Sequence, residues 1–197
     1  MRTLLPLLAF VAAPLAAQPV GPSNTEGLFL QLALDGQSLN YDEDDFDDTD
    51  DGGGAALRVG YGISPVVTFY VGASGAEIDG QTNGVINNTY RFGAGELGAR
   101  FNLNRGSALR PYLDVALRGV VASDDASDLE FQGGGIAFGG GVAYFVSPTI
   151  AFDAALRLGG GQFTEVDLGR IALDIEDRDI GYGEGRLSVG VTAYPFR

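Results

Sequence analysis

Between Gly133 and Gly159 the side chains alternate with a period of two, and few folds can accommodate the two resulting sets. Ile136, Phe138, Val142, Tyr144 and Val146 share one parity. Ala137, Gly139, Gly141, Ala143 and Ser147 share the other. After Ser147-Pro148-Thr149 the pattern resumes, with Ile150, Phe152, Ala154, Leu156 and Leu158 against Ala151, Asp153, Ala155, Arg157 and Gly159. A period of two marks a β-strand with distinct faces, and serine-proline marks a turn. One face is large, apolar and uncharged. The other is small apart from Asp153 and Arg157, with Phe145 beside the turn as the bulky exception. Water-facing strand positions favour larger polar side chains. Small and charged residues on one side, with grease on the other, suit a strand between hydrocarbon and a narrow interior.

The same grammar recurs along the chain. Strand one is read from Leu28 to Leu39, with Leu28, Leu30, Leu32 and Leu34 against Phe29, Gln31, Ala33 and Asp35. Strand two, Ala55 to Ser64, sets Leu57, Val59 and Tyr61 against Arg58, Gly60 and Gly62. Strand three follows Ser64-Pro65 with Phe69, Val71 and Ala73 on one face. Strand four, Tyr90 to Leu103, sets Leu97, Ala99 and Phe101 against Glu96, Gly98 and Arg100. Strand five, Ala108 to Val121, sets Leu113, Val115 and Leu117 against Asp114, Ala116 and Arg118. Pro111 lies near its start, where a missing donor is tolerated. Strands six and seven are the hairpin described first, and strand eight runs from Tyr182 to Tyr194. The connections alternate between short turns and four long polar loops, Asn40–Gly53, Ala76–Thr89, Ala122–Gly133 and Gly160–Gly181. Val166, Leu168, Ile171, Leu173 and Ile175 alternate with acids in the last loop, as a hairpin extension of strands seven and eight would. ISPVVTF at Ile63 echoes VSPTIAF at Val146, and AALRVG at Ala55 echoes AALRLG at Ala154.

The fold expected is an eight-stranded antiparallel up-and-down transmembrane β-barrel, with short periplasmic turns and long acidic extracellular loops. Residues 1–17 read as a cleaved signal peptide, with Arg2 ahead of the apolar run Leu4–Ala13 and cleavage after Ala17. Residues 18–197 then form one barrel domain. The formal charge is −14, all 12 cations are arginine, and cysteine and histidine are absent. That removes thiol chemistry and His- or Cys-based sites, and it argues against nucleic-acid binding.

The charges report which face is inside. Most acids fall in the loops, eight of them in loop one: Asp42, Glu43, Asp44, Asp45, Asp47, Asp48, Asp50 and Asp51. Asp35, Glu96, Asp114, Asp153 and Glu184 lie within strands, all on the small parity. Arg58, Arg100, Arg118, Arg157 and Arg186 share it, as does Arg110 near a strand end; Arg91 has outward parity beside a loop. An eight-stranded barrel is just wide enough for side chains to fill. Its buried charges must pair, so an internal arginine–carboxylate network is expected.

These strands resemble the small outer-membrane β-barrel family that includes the OmpA transmembrane domain, OmpX and opacity-type proteins. The likeness rests on Val142-Ala143-Tyr144, Ser147-Pro148, Ile150-Ala151-Phe152-Asp153 and the ending Leu187 to Phe196. The family's closing strand ends on an outward aromatic residue. Here Arg197 follows Phe196, and Tyr194 and Phe196 have inward parity. The resemblance implies a monomer in the outer membrane, touching membrane lipid and lipopolysaccharide, and the barrel-assembly machinery during insertion. It names no activity.

No catalytic, cofactor or metal site is read from the sequence. A helix-flanked calcium loop starting at Asp48 would need a glutamate at its twelfth position, which is Val59. The acids of loop one remain candidates for loose divalent-cation binding. GEGR at Gly183 and GGGQ at Gly159 open no helix, so phosphate cradling is not expected. Ser74 and Ser188 have no histidine to activate them. A structural, envelope-integrity, adhesion or surface-interaction role is expected. A narrow channel is the second reading, and a soluble ligand-binding barrel a third, although that would need the reverse parity.

Overall fold

In the computed structural model, the described residues are 23–42, 49–80, 89–124, 129–168, 172–174 and 180–195. They form nine strands: β1 (Gly27–Asp42), β2 (Thr49–Gly62), β3 (Val67–Asp79), β4 (Thr89–Asn102), β5 (Leu109–Asp124), β6 (Leu129–Phe145), β7 (Ile150–Leu168), β8 (Ala172–Asp174) and β9 (Ile180–Ala193). Eight of them close an antiparallel barrel, because β6 pairs with β7, β7 with β9 and β9 with β1. β8 adds a short ladder to the far end of β7. The expected signal peptide, 1–17, lies outside the described residues.

Following ladder partners once around the barrel leads from Gln31 through Arg58, Gly72, Glu96, Arg118, Gly135, Gly161 and Tyr182 back to Tyr41. The stagger is therefore ten residues over eight strands. Such a stagger tilts the strands by about 40°. A single irregularity, between Gln132 and Gly133, interrupts the β6–β7 ladder.

The parity is as expected from the sequence. Leu34 is 68 % exposed, Leu117 63 % and Leu187 60 %, while Arg58, Arg100 and Arg186 are all at or below 2 %. The apolar outer band on β7 runs from Ile150 to Leu158, about 21 Å of height after allowing for tilt. Outward aromatics gather at its lower edge, where Tyr61 faces Phe69 and Tyr144 faces Phe152. Its upper edge carries outward glycines instead: Gly36 beside Gly53, Gly75 beside Gly93, and Gly95, Gly119 and Gly134 in series. Above them the outward residues turn polar, with Asp51, Glu77 and Arg91 exposed.

The strands run further than their apolar faces. Asp50 and Asp51 belong to β2, Glu77 and Asp79 to β3, Asp124 to β5 and Glu130 to β6, all of them loop residues by sequence. Once the outer face leaves hydrocarbon it needs no apolar side chains, so the ladder continues while the period-two signal disappears. The expected fourth loop is likewise largely strand: β7 reaches Leu168, and Glu165, Val166 and Asp167 pair with Asp174, Leu173 and Ala172. The most acidic stretch, 43–48, lies outside the described residues.

The two serine-proline turns close in one way. Ser64 Oγ accepts from the amides of Val66 and Val67 at 3.3 and 3.1 Å, and Ser147 Oγ from those of Thr149 and Ile150 at 3.3 and 3.0 Å. The sequence echo is thus a repeated turn in which a hydroxyl satisfies two amides.

Candidate functional site in the lumen

The inward face of the strands fills the lumen in tiers. At the end away from the serine-proline turns Leu39, Ile78, Tyr90, Phe92, Val120, Phe163 and Tyr182 form an apolar lid. At the end of the serine-proline turns Phe29, Tyr70, Tyr112, Phe145 and Tyr194 form an aromatic floor, in which Tyr194 stacks on Phe145 at 6.1 Å. Tyr194 points inward, as its parity requires; Phe196 lies outside the described residues.

Between lid and floor lie the ten charges that alternation placed on the inward face, and every one is paired. Glu96 accepts from Arg58 Nε and Arg157 Nη1, each at 2.8 Å. Arg157 also reaches Asp114, which accepts from the Tyr70 hydroxyl at 2.5 Å. Arg100 contacts Asp114 at 3.5 Å and Asp153 at 3.3 Å, with its guanidinium 3.8 Å from the centre of the Tyr112 ring. Tyr112 donates to Asp153 at 2.6 Å. Gln31 Oε1 links Arg58 and Arg100, at 2.6 and 3.2 Å. Higher up, Arg118 and Arg186 share Glu184, and Arg186 Nη1 lies 3.5 Å from Asp35. Three cations against three anions below, and two against two above, leave each of these two groups neutral. In so dry a space an unpaired ion would cost several kcal/mol.

The small inward residues now have a reason. A side chain at Gly98 would overlap Tyr70, one at Gly141 would overlap Tyr112, and one at Gly72 would crowd Arg58 and Glu96. Glycine on one strand lets a tyrosine or arginine on its neighbour reach across the lumen. Tyr70 and Gly98 are ladder partners, as are Tyr112 and Gly141. Alternation puts Tyr70 and Tyr112 on the inward parity, but the sequence reading missed their part in the charge network, although an inward tyrosine facing an inward glycine is a signal that could have found it.

The residues ahead of β1 were also missed. Ser23, Asn24 and Thr25 cross the mouth at this end and tie to all three short turns. Ser23 Oγ donates to Ser107 O at 2.8 Å, the Asn24 amide to Pro148 O at 2.9 Å, and Thr25 Oγ1 to Pro65 O at 2.9 Å. Arg110 holds them from above. Its guanidinium donates to Thr25 Oγ1 at 2.5 Å, to Ser23 Oγ at 2.8 Å and to Ser23 O at 3.0 Å.

No cluster of metal-ligating residues occurs among the described residues. Ser188 is buried, and its Oγ has no hydrogen-bond partner; Ser74, also on the inward parity, is half-buried. What the arrangement does is tie six of the barrel strands, β1, β2, β4, β5, β7 and β9, together through ion pairs inside a closed cylinder.

Residues 3–191 match the model of the outer membrane protein beta-barrel domain family. The chain belongs to that family. It is an integral outer-membrane protein, and its greasy perimeter is the lipid-facing surface. Among solved structures, this outer-membrane barrel is similar to Neisserial surface protein A, NspA, at 18 % identity and a TM-score of 0.63, covering 86 % of this chain and 97 % of that one. It is also similar to OprG from Pseudomonas aeruginosa, at 10 % identity and a TM-score of 0.52, covering 87 % and 97 %. A third is a major outer membrane protein from Thermus thermophilus, at 12 % and 0.51, covering 83 % and 98 %. At such identities the likeness is one of fold. No curated protein matches the chain at significant similarity.

Proposed function

We propose that this outer-membrane barrel is a non-catalytic, non-conducting envelope protein whose work is done by its external strand extensions and loops. The observation that carries this reading is the filling of the lumen at both ends, by the apolar lid and by the aromatic floor with its crossing segment. A filled cylinder offers its surroundings a lipid-facing wall and an external rim. The wall serves membrane integrity, with lipid and lipopolysaccharide as neighbours and a monomer as the working unit. The closing strand β9 would be the segment presented to the assembly machinery. The rim is acidic and suits adhesion or surface binding, with divalent cations bridging its carboxylates to lipopolysaccharide phosphates. β8, which pairs only with β7 among the described residues, offers a backbone edge for a partner that adds a strand.

In a planar bilayer the purified barrel is expected to give no stable single-channel current. A sizeable, long-lived current would overturn the reading. The second reading, a narrow channel, is favoured by one feature: Arg118 Nε and Nη2, Tyr182 Oη and Ser188 Oγ are buried in the lumen without hydrogen-bond partners, and a water thread would satisfy them. For the surface role, a deletion strain is expected to lose detergent resistance or adherence. Wild-type behaviour in both assays would count against it.

A further inference from the structure

Among the described residues, one inward arginine lacks a carboxylate partner, and it lies at the mouth that the short turns surround. Each of the other five inward arginines reaches a carboxylate. Arg110, 1 % exposed, bonds only to neutral oxygens of Ser23, Thr25 and Pro65, and its Nε has no acceptor at all. A buried cation without a counter-ion is costly unless an anion can approach it. Arg110 lines a cleft of about 550 Å³ that also takes in Arg105, Glu26, Tyr61 and Ile63. Arg105 sits exposed in the turn between β4 and β5, where Gly106 adopts a φ of 70° that a side chain would resist. Two arginines against the single carboxylate of Glu26 leave the cleft positive in a chain whose formal charge is −14. Its other wall is the lipid-facing surface, since Tyr61 and Ile63 are 57 % and 61 % exposed at the lower edge of the apolar band.

We propose that this cleft binds the anionic headgroup of an inner-leaflet phospholipid. The phosphate would meet Arg105 and approach the Arg110 side, while the acyl chains lie along Tyr61 and Ile63. Positive charge alone would suit a free phosphate equally. The continuity of the cleft with the hydrocarbon face selects a lipid. The occupant would place a counter-charge beside the one inward arginine that lacks a carboxylate, and so would help seal the mouth that Ser23–Thr25 close.

The test uses the whole mature barrel in nanodiscs of phosphatidylcholine, with and without added phosphatidylglycerol. Phosphatidylglycerol is expected to raise the unfolding midpoint of the parent by about 2–4 °C, the shift that one modest contact gives in a chain of this size. Arg105→Gln, at an exposed turn, should fold normally and match the parent in phosphatidylcholine but lose that shift. Glu26→Gln, which removes the competing carboxylate, should enlarge it. Equal midpoints of the parent in the two bilayers, or an unchanged shift in Arg105→Gln, would overturn the proposal. So would inorganic phosphate reproducing the shift in phosphatidylcholine, because the site would then belong to a free anion.

Discussion

Glu96→Ala is expected to lower the free energy of unfolding by about 3–5 kcal/mol, the cost of stripping one partner from a buried ion pair. Glu96 is the carboxylate on which Arg58 and Arg157 converge, each at 2.8 Å. Without it Arg157 keeps Asp114, but Arg58 is left with no carboxylate, only the neutral Gln31 Oε1 and the Tyr70 ring. Arg58 is 2 % exposed, so water cannot take over. Removing both charges together, as Arg58→Leu with Glu96→Leu, should recover much of the loss, because no ion is then left uncompensated. Urea unfolding in lipid vesicles measures both variants, with a fall in midpoint at constant slope as the expected signature. An unchanged midpoint for Glu96→Ala would mean that the network contributes no stability.

Leu57→Arg is expected to cost about 2–4 kcal/mol, the penalty for arginine on the lipid face near midplane. Leu57 is 53 % exposed and lies between Leu32 and Ala73 in the middle of the apolar band. The same substitution at Asp51, on the same strand and the same outer face but above the glycine edge, should cost about 0–1 kcal/mol. The contrast separates a depth-dependent lipid penalty from a general intolerance of arginine on β2. Equal costs at the two positions would remove the evidence that the glycine edge marks the membrane boundary.

Wherever lipid made one face apolar, the fold was legible from alternation alone. Leu57 against Arg58 and Leu117 against Arg118 declare inside and outside, because hydrocarbon allows no exceptions at those heights. Above the boundary the rule lapses. Asp50 points into the barrel, where the Tyr90 hydroxyl donates to it at 3.0 Å, yet its neighbours Thr49 and Asp51 are polar too, so no alternation marks it as a strand residue. The pairing of the strand charges followed from their number and confinement. Which arginine meets which acid did not, since partners such as Arg157 and Glu96 lie 61 residues apart and meet across the lumen. The Ser23–Thr25 crossing was invisible for a similar reason. Three small polar residues ahead of β1 carry no period, and their role depends on Arg110, 85 and 87 residues away.

The most direct test of the whole account concerns which side chains face lipid. The chain has no cysteine, so single-cysteine variants carry one label each. Nitroxide labels placed in turn at Leu113, Asp114, Val115, Ala116, Leu117 and Arg118 of β5 report contact with oxygen dissolved in the bilayer. High oxygen accessibility at Leu113, Val115 and Leu117, with low values at Asp114, Ala116 and Arg118, is the predicted result. The opposite alternation, or none, would contradict it.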